Sequence, residues 1–285
     1  MKYTKEKDRI IIEKCEDFNA EHILECGQVF RYKKVGNKYL VFSTNKCAEV
    51  FEENDKIIIK TSDVDYFENY FDLTTDYANI KSEIVKVFKQ NYKDKDFKFL
   101  LKAIDYGKGI RILKQNFMEA MLSFVISQNN NIKRIQLIVE RMCERYGTNM
   151  GSYYAFPTLE QLEKITLNEY SEMGLGYRAS YMVEVVKMLG SFDYDKFTAL
   201  NSDEKLKFLL NTKGIGPKVA DCIMLFGFYE MKVFPVDTWI VKVFNEYFDN
   251  KVSDRKVMRK TLVDIFDIYA GYAQQYLFYY QRLKN

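Results

Sequence analysis

Histidine is nearly missing from this chain. His22 is the single one among 285 residues, which leaves no material for a His-rich metal site and argues against a Ser-His-Asp triad. Cysteine is scattered: Cys15, Cys26, Cys47, Cys143 and Cys222 show no paired spacing, which argues against a zinc site or a disulfide framework and reads as reduced thiols. No apolar run approaches the roughly 20 residues of a membrane span. The opening MKYTKEKDRIIIEKCEDF places charges on both sides of a three-residue apolar run, unlike a secretory signal, so the expected compartment is the cytoplasm. An excess of one charge is also lacking. With 43 basic and 40 acidic residues the net charge is +3, so composition does not announce nucleic acid, and any basic surface has to be local to one face.

What is present is ample apolar material, 47% of the chain, enough for a substantial core in two domains. From Tyr3 to about Thr61 the runs RIIIEKC, QVFRYKKV, KYLVFS, AEVFEEN and KIIIKT are short and β-branched or aromatic. They are separated by turn-like Gly36-Asn37, Thr44-Asn45 and Asn54-Asp55, which predicts an antiparallel sheet. The run YFENYFDLTTDYANIKSEIVKVFK reads as an extended entry into a helix, and Lys93–Lys98 as a charged turn. Glycines and charge in DYGKGIRILKQN place a boundary near residues 105–116, giving domains 1–110 and 111–285. The pattern is then helical: FMEAMLSFVISQ, a break at Asn129, Asn130 and Asn131, and a helix in which Ile132, Ile135, Val139 and Met142 recur until Gly147 ends it. The fold class is α+β.

Chemistry concentrates between Glu204 and Phe244. An amphipathic run with Leu206, Phe208, Leu209 and Leu210 breaks at Asn211 and restarts as a helix at Pro217. Gly214 and Gly216 allow a tight helix-hairpin-helix, with the hairpin unit at residues 204–228. Backbone N–H groups at the start of the second helix attract a phosphate, and the candidates are Gly214, Gly216, Lys218 and Val219. Lys218 is an ammonium at the head of an otherwise apolar helix; burial lowers the pKa of a lysine and turns it into a nucleophile. Asp237 follows 19 residues later, far enough along for the chain to return to the same cleft. The simpler readings are a surface lysine lying along apolar neighbours and an aspartate capping the helix that begins at Thr238.

GIGPKVADCI followed by PVD resembles the helix-hairpin-helix DNA glycosylases, whose second helix carries a catalytic lysine. Four more elements stand in that family's order: GQVFR from Gly27, QNNNIKR from Gln128, GLGYR ending at Arg178, and GYAQQYLF ending at Phe278. Together they are similar to the 8-oxoguanine DNA glycosylase/AP lyase branch of the HhH-GPD superfamily. The resemblance implies a TBP-like antiparallel sheet domain packed on a helical glycosylase domain. It implies catalysis by Lys218 and Asp237, and a base pocket made by Gly27, Cys222, Gln274 and Phe278. It assigns Asn129 to the space left by the extruded base, Tyr177 to a wedge in the duplex, and Arg134 and Arg178 to the partner cytosine. Cys222, one turn from Lys218, offers two readings: tuning of the amine through partial thiolate character, or the commoner role of a small buried packing residue. Three positions depart from the family: Trp239 where His is frequent, Tyr32 where Trp is common, and Gln128 where a small residue stands.

The expected partner is duplex DNA containing 8-oxoguanine, handled by a monomer without a membrane, and a prokaryotic source fits. No cofactor is required. A monovalent cation at the hairpin is compatible with the pattern, and the absence of four clustered cysteines removes the iron-sulfur cluster of some relatives. Two alternatives stay open: a helix-hairpin-helix glycosylase for another damaged base, and a non-catalytic protein using the hairpin only to hold DNA.

Overall fold

The computed structural model describes residues 1–92, 97–249 and 251–284. Of the charged turn expected at Lys93–Lys98, residues 93–96 lie outside the described residues. Six strands, β1 (Tyr3–Lys5), β2 (Arg9–Glu13), β3 (Tyr32–Val35), β4 (Lys38–Ser43), β5 (Lys46–Glu53) and β6 (Lys56–Lys60), form one antiparallel sheet in the order β1-β2-β6-β5-β4-β3. Alternation decides the inner face: Ile10 and Ile12 are buried opposite Ile59 and Ile57. The hairpins turn where the sequence places them, at Gly36-Asn37, Thr44-Asn45 and Asn54-Asp55. Positive φ at Gly36 (60°), Asn54 (49°) and Asp55 (57°) is the backbone that tight hairpins need. Helices α1 (Ala20–Glu25) and α2 (Val64–Tyr70) cover the inner face through Ile23, Leu24, Phe67 and Tyr70.

Two local expectations are corrected here. YFENY is not extended but part of α2, because Phe67, Tyr70 and Phe71 fall on one helical face over the sheet. QVFRYKKV is strand only from Tyr32. Ahead of it Gln28 is fully buried and replaces a strand partner: its Nε2 donates to the Ile23 and Arg111 carbonyls, and its Oε1 accepts from Leu113 N–H, all at 2.8–2.9 Å. The loop therefore sits on the seam between two cores, with Val29 in the sheet core and Cys26 and Phe30 in the helical one.

Helices α3 (Tyr77–Asn91) and α4 (Lys98–Tyr106) precede the expected boundary, yet Ile84, Phe88, Leu100 and Ala103 belong to the helical core. Residues 107–116 then cross the seam as a buried strap. Arg111, with no exposed surface, donates to the carbonyls of Asp17, Phe71, Asp72 and Thr75 and so ties both layers to one guanidinium. Every residue from Glu119 to Ile126 in α5 (Phe117–Ile126) is buried, the mark of a central helix. Around it lie α6 (Ile132–Tyr146), the short α7 (Leu159–Glu163) and α8 (Leu167–Tyr170), α9 (Arg178–Gly190), α10 (Tyr194–Thr198), α11 (Ser202–Leu210) and α12 (Pro217–Gly227). The set is completed by α13 (Thr238–Tyr247), α14 (Arg255–Phe266) and α15 (Ala270–Lys284). Gly147 ends α6 without a left-handed turn, at φ −79°; a Cβ there would stand 2.0 Å from the Ala155 carbonyl oxygen. Among the described residues no helix is long and apolar enough to cross a membrane.

Candidate active site

The hairpin between α11 and α12 is built for close approach. Gly214 has φ 94°, and a Cβ on it would stand 2.4 Å from Tyr181 Cβ, so any side chain is doubly disfavoured. Gly216 begins α12 in an extended conformation, Pro217 follows without an N–H, and no side chain caps this end. The first helical bond runs from Ala220 N–H to the Gly216 carbonyl at 2.9 Å, which leaves the Lys218 and Val219 amides outside the helical ladder, at the positive end of the dipole. Of the four positions expected to meet phosphate, Gly216, Lys218 and Val219 line a cleft of 1240 Å³. Gly214 lies behind them against Tyr181.

Lys218 and Asp237 both line that cleft. The ammonium lies 5.6 Å from the Phe124 ring centroid, and its charge acts on the Cys222 thiol one turn along the helix. Asp237 is half-buried and caps α13: one carboxylate oxygen accepts from Trp239 N–H at 3.0 Å and from Ile240 N–H at 2.9 Å. Burial pushes its carboxyl above the usual aspartate value, opposed by the two amides and the Lys218 charge. The other carboxylate near the lysine is already spent. Asp221, 1% exposed, takes a two-point bond from Arg259 Nε (2.7 Å) and Nη2 (2.8 Å), whereas Asp237, among the described residues, has no arginine partner and accepts only from backbone amides. Of the two readings of Cys222, its burial favours the packing one. Burial pushes its thiol up to about 11, against the lowering effect of Lys218, so near neutral pH it is a neutral packing group without thiolate character.

Gly27 and Phe278 line the same cleft. Gly27 has φ 83°, and a Cβ there would meet Phe278 Cε1 at 3.2 Å, so the glycine lets backbone and ring close on one another. The α15 helix is pinned to this loop by Gln275 Nε2, which donates to the Cys26 carbonyl at 2.7 Å. Gln274 lies on the same face as Phe278, four residues earlier. It is 5% exposed and its Oε1 has no hydrogen-bond partner, an acceptor that a buried site does not normally leave unused. Gln274 and Cys222 sit behind the cleft surface, which Gly27, Phe278, Lys218 and Asp237 line directly.

The asparagine triplet forms the lip. Asn131 caps α6 by accepting from Arg134 N–H at 3.0 Å, and Asn130 donates to the Ile126 carbonyl at 3.3 Å. Asn129, with φ 47°, lines the cleft and donates to Tyr177 Oη at 3.1 Å. Tyr177 is half exposed, at 50%, available to insert elsewhere. Arg134 reaches the Gly174 carbonyl at 3.2 Å from an exposed position. Arg178 is buried and donates to the carbonyls of Gln128, Asn129 and Leu175, so in this structure its guanidinium holds the lip in place.

Residues 10–121 match the N-terminal domain of 8-oxoguanine DNA glycosylases, and residues 122–266, more than half of the chain, match the HhH-GPD base excision DNA repair proteins. The chain belongs to the HhH-GPD superfamily. A crystal structure of Clostridium acetobutylicum 8-oxoguanine glycosylase/lyase with dsDNA containing cytosine opposite 8-oxoG superimposes with a TM-score of 0.90 at 34% identity, covering 100% of this chain and 99% of that one. Among sequence relatives, the Arabidopsis thaliana N-glycosylase/DNA lyase OGG1 is 28% identical over 71% of this chain, and a probable N-glycosylase/DNA lyase of Methanothermobacter thermautotrophicus is 27% identical over 71%. The chain spans 60% of the length of the plant relative and 75% of the archaeal one.

Several residues of this HhH-GPD protein's site escape sequence reasoning. Gln128, noted only as a departure, donates to the Gly214 carbonyl at 2.8 Å and couples the lip to the hairpin. Arg259 and Arg282 line the cleft from α14 and α15, where nothing in their local pattern marks them. Trp239 lines the cleft beside Asp237 with Lys242 Nζ 4.3 Å from its ring centroid. Among the described residues, no three His, Cys, Asp or Glu side chains come together as a metal site.

Proposed function

We propose that this protein is a bifunctional DNA glycosylase and lyase that excises 8-oxoguanine from duplex DNA, opposite cytosine, and then nicks the abasic site. The reading rests on one cleft lined by Lys218 and Asp237 together with Gly27 and Phe278. An amine and a half-buried carboxyl beside the hairpin amides suit attack on a sugar, and the Phe278 ring beside Gly27 suits a flat base.

In this reading the DNA backbone meets the amides of Gly216, Lys218 and Val219, and the lesion is extruded into the cleft at a cost of a few kcal/mol. The Gly27 carbonyl accepts the N7–H that 8-oxoguanine has and guanine lacks; a wrong partner at that buried acceptor costs about 1–3 kcal/mol. The unpaired Oε1 of Gln274 takes a donor on the Watson-Crick edge, Phe278 covers one face of the ring and the neutral Cys222 side the other. Lys218 Nζ then attacks C1′ as the N-glycosidic bond breaks, and the base leaves with the bonding electrons and gains a proton. Asp237 stabilises positive charge on the sugar, and its burial-raised carboxyl suits it to pass protons between amine and base. Opening of the sugar ring gives a Schiff base between Nζ and C1′. Loss of a C2′ proton then expels the 3′ phosphate by β-elimination.

On the opposite strand, Asn129 fills the vacated space, Tyr177 wedges into the stack, and Arg134 and Arg178 address the cytosine, Arg178 after releasing carbonyls of the lip. The chemistry needs no metal. A monovalent cation at the hairpin would need backbone carbonyl oxygens there, and those of Thr212 and Gly214 already accept hydrogen bonds from Ile215 N–H and Gln128 Nε2. The protein works as a monomer on chromosomal DNA in the cytoplasm. Borohydride trapping on duplex DNA containing 8-oxoguanine tests the reading: the wild-type protein forms a covalent adduct, and Lys218→Gln forms none. Absence of an adduct with the wild-type protein refutes it.

A further inference from the structure

The guanidinium of Arg282 is an unspent donor in the base-pocket wall. Arg282 stands one turn beyond Phe278 on α15, hence on the same face, and lines the cleft. Nη2 donates to the Glu25 carbonyl at the end of α1, which anchors the side chain. Its Cζ lies 5.4 Å from the Phe278 ring centroid. Nη1 would be 3.4 Å from a Cβ on Gly27, is buried, and has no hydrogen-bond partner. No carboxylate pairs with Arg282 among the described residues. A buried N–H of a charged group left without an acceptor is costly and uncommon. This one flanks the two groups, Gly27 and Phe278, between which the base is read, while the unpaired Gln274 Oε1 offers an acceptor on the same helix.

We propose that Arg282 is a specificity-determining residue whose Nη1–H donates to a carbonyl oxygen flanking N7 of the extruded base, O6 or O8. The inference rests on the reading of the cleft as an 8-oxoguanine pocket. Acceptance of N7–H by Gly27 and donation by Arg282 to the adjoining oxygen form a paired donor-acceptor code. Guanine lacks O8 and N7–H, and adenine presents an amino group where guanine has O6. Arg282 thus reads the oxygen and Gly27 the hydrogen.

The test uses the full chain in single-turnover assays on duplexes carrying 8-oxoguanine, 8-oxoadenine or a preformed abasic site. Arg282→Ala lowers excision of 8-oxoguanine, measured relative to abasic-site cleavage, by roughly tenfold to a hundredfold, the range for a hydrogen bond to a charged group. Arg282→Gln, which keeps an N–H donor, falls between the two. If 8-oxoadenine excision falls by the same factor, O8 is the oxygen read; if it does not, O6 is. Equal loss on 8-oxoguanine and on abasic DNA, or no loss on either, overturns the inference, because a merely structural or phosphate-binding arginine behaves in that way. A wild-type protein that cleaves abasic DNA and leaves 8-oxoguanine untouched overturns the substrate reading and this inference with it.

Discussion

Asp237 combines a structural and a chemical task, and two substitutions separate them. One carboxylate oxygen caps α13 through two N–H groups at 3.0 and 2.9 Å, so Asp237→Ala removes the cap at a cost of about 1 kcal/mol. In a chain of this size that lowers Tm by roughly 2–4 °C. Asp237→Asn keeps an oxygen in the same place and removes the charge. Because burial holds the folded-state carboxyl above the 3.8 of an ordinary aspartate, ionisation opposes folding. The protonated group's favourable contribution is complete below 3.8 and is lost as pH rises through the folded value. Asp237→Asn is therefore at least as stable as the wild-type protein at pH 7, and its advantage shrinks as the pH is lowered through that window. Both variants lose base excision by roughly 100-fold to 1000-fold, the scale of a lost electrostatic stabiliser. Thermal denaturation from pH 3 to 8 together with single-turnover excision checks this. An Asn variant as unstable as the Ala variant, or one that excises at the wild-type rate, refutes the division of labour.

Gly27→Ala places a methyl group 3.2 Å from Phe278 Cε1 on a backbone with φ 83°, a strain of about 1–2 kcal/mol; 8-oxoguanine excision falls far more than cleavage of a preformed abasic site, read on the same gels. Arg111→Met takes the donor from two buried and two part-buried carbonyls and costs more than about 3 kcal/mol in urea denaturation. The Cys222 thiol, pushed up to about 11, stays unalkylated at pH 8 while the part-exposed Cys15 reacts, as peptide mass mapping would show; rapid alkylation of Cys222 would contradict its burial.

The sheet and the hairpin were legible because their signals are local. Turn residues at Gly36-Asn37 and Asn54-Asp55 and the alternation of Ile10, Ile12, Ile57 and Ile59 depend on a few neighbouring positions, as does the left-handed backbone at Gly214. The capping role of Asp237 was readable for the same reason. Which core α3 and α4 join was not legible, because it depends on α14 and α15, far along the chain. The extended look of QVFR came from apolar alternation that in fact serves two cores at once, Val29 facing one and Phe30 the other.

By itself, the sequence determined the fold class, the hairpin, the lysine at its head and the likeness to a glycosylase family, all carried by short motifs whose physics is local. Tertiary structure alone decided which charges are spent and which are open. It pairs Asp221 with Arg259, commits Arg178 to the lip, keeps Cys222 a thiol by burial, and leaves Gln274 Oε1 and Arg282 Nη1 unpaired beside Gly27 and Phe278. Burial and partnership are properties of residues brought together from distant parts of the chain, and a linear pattern does not contain them.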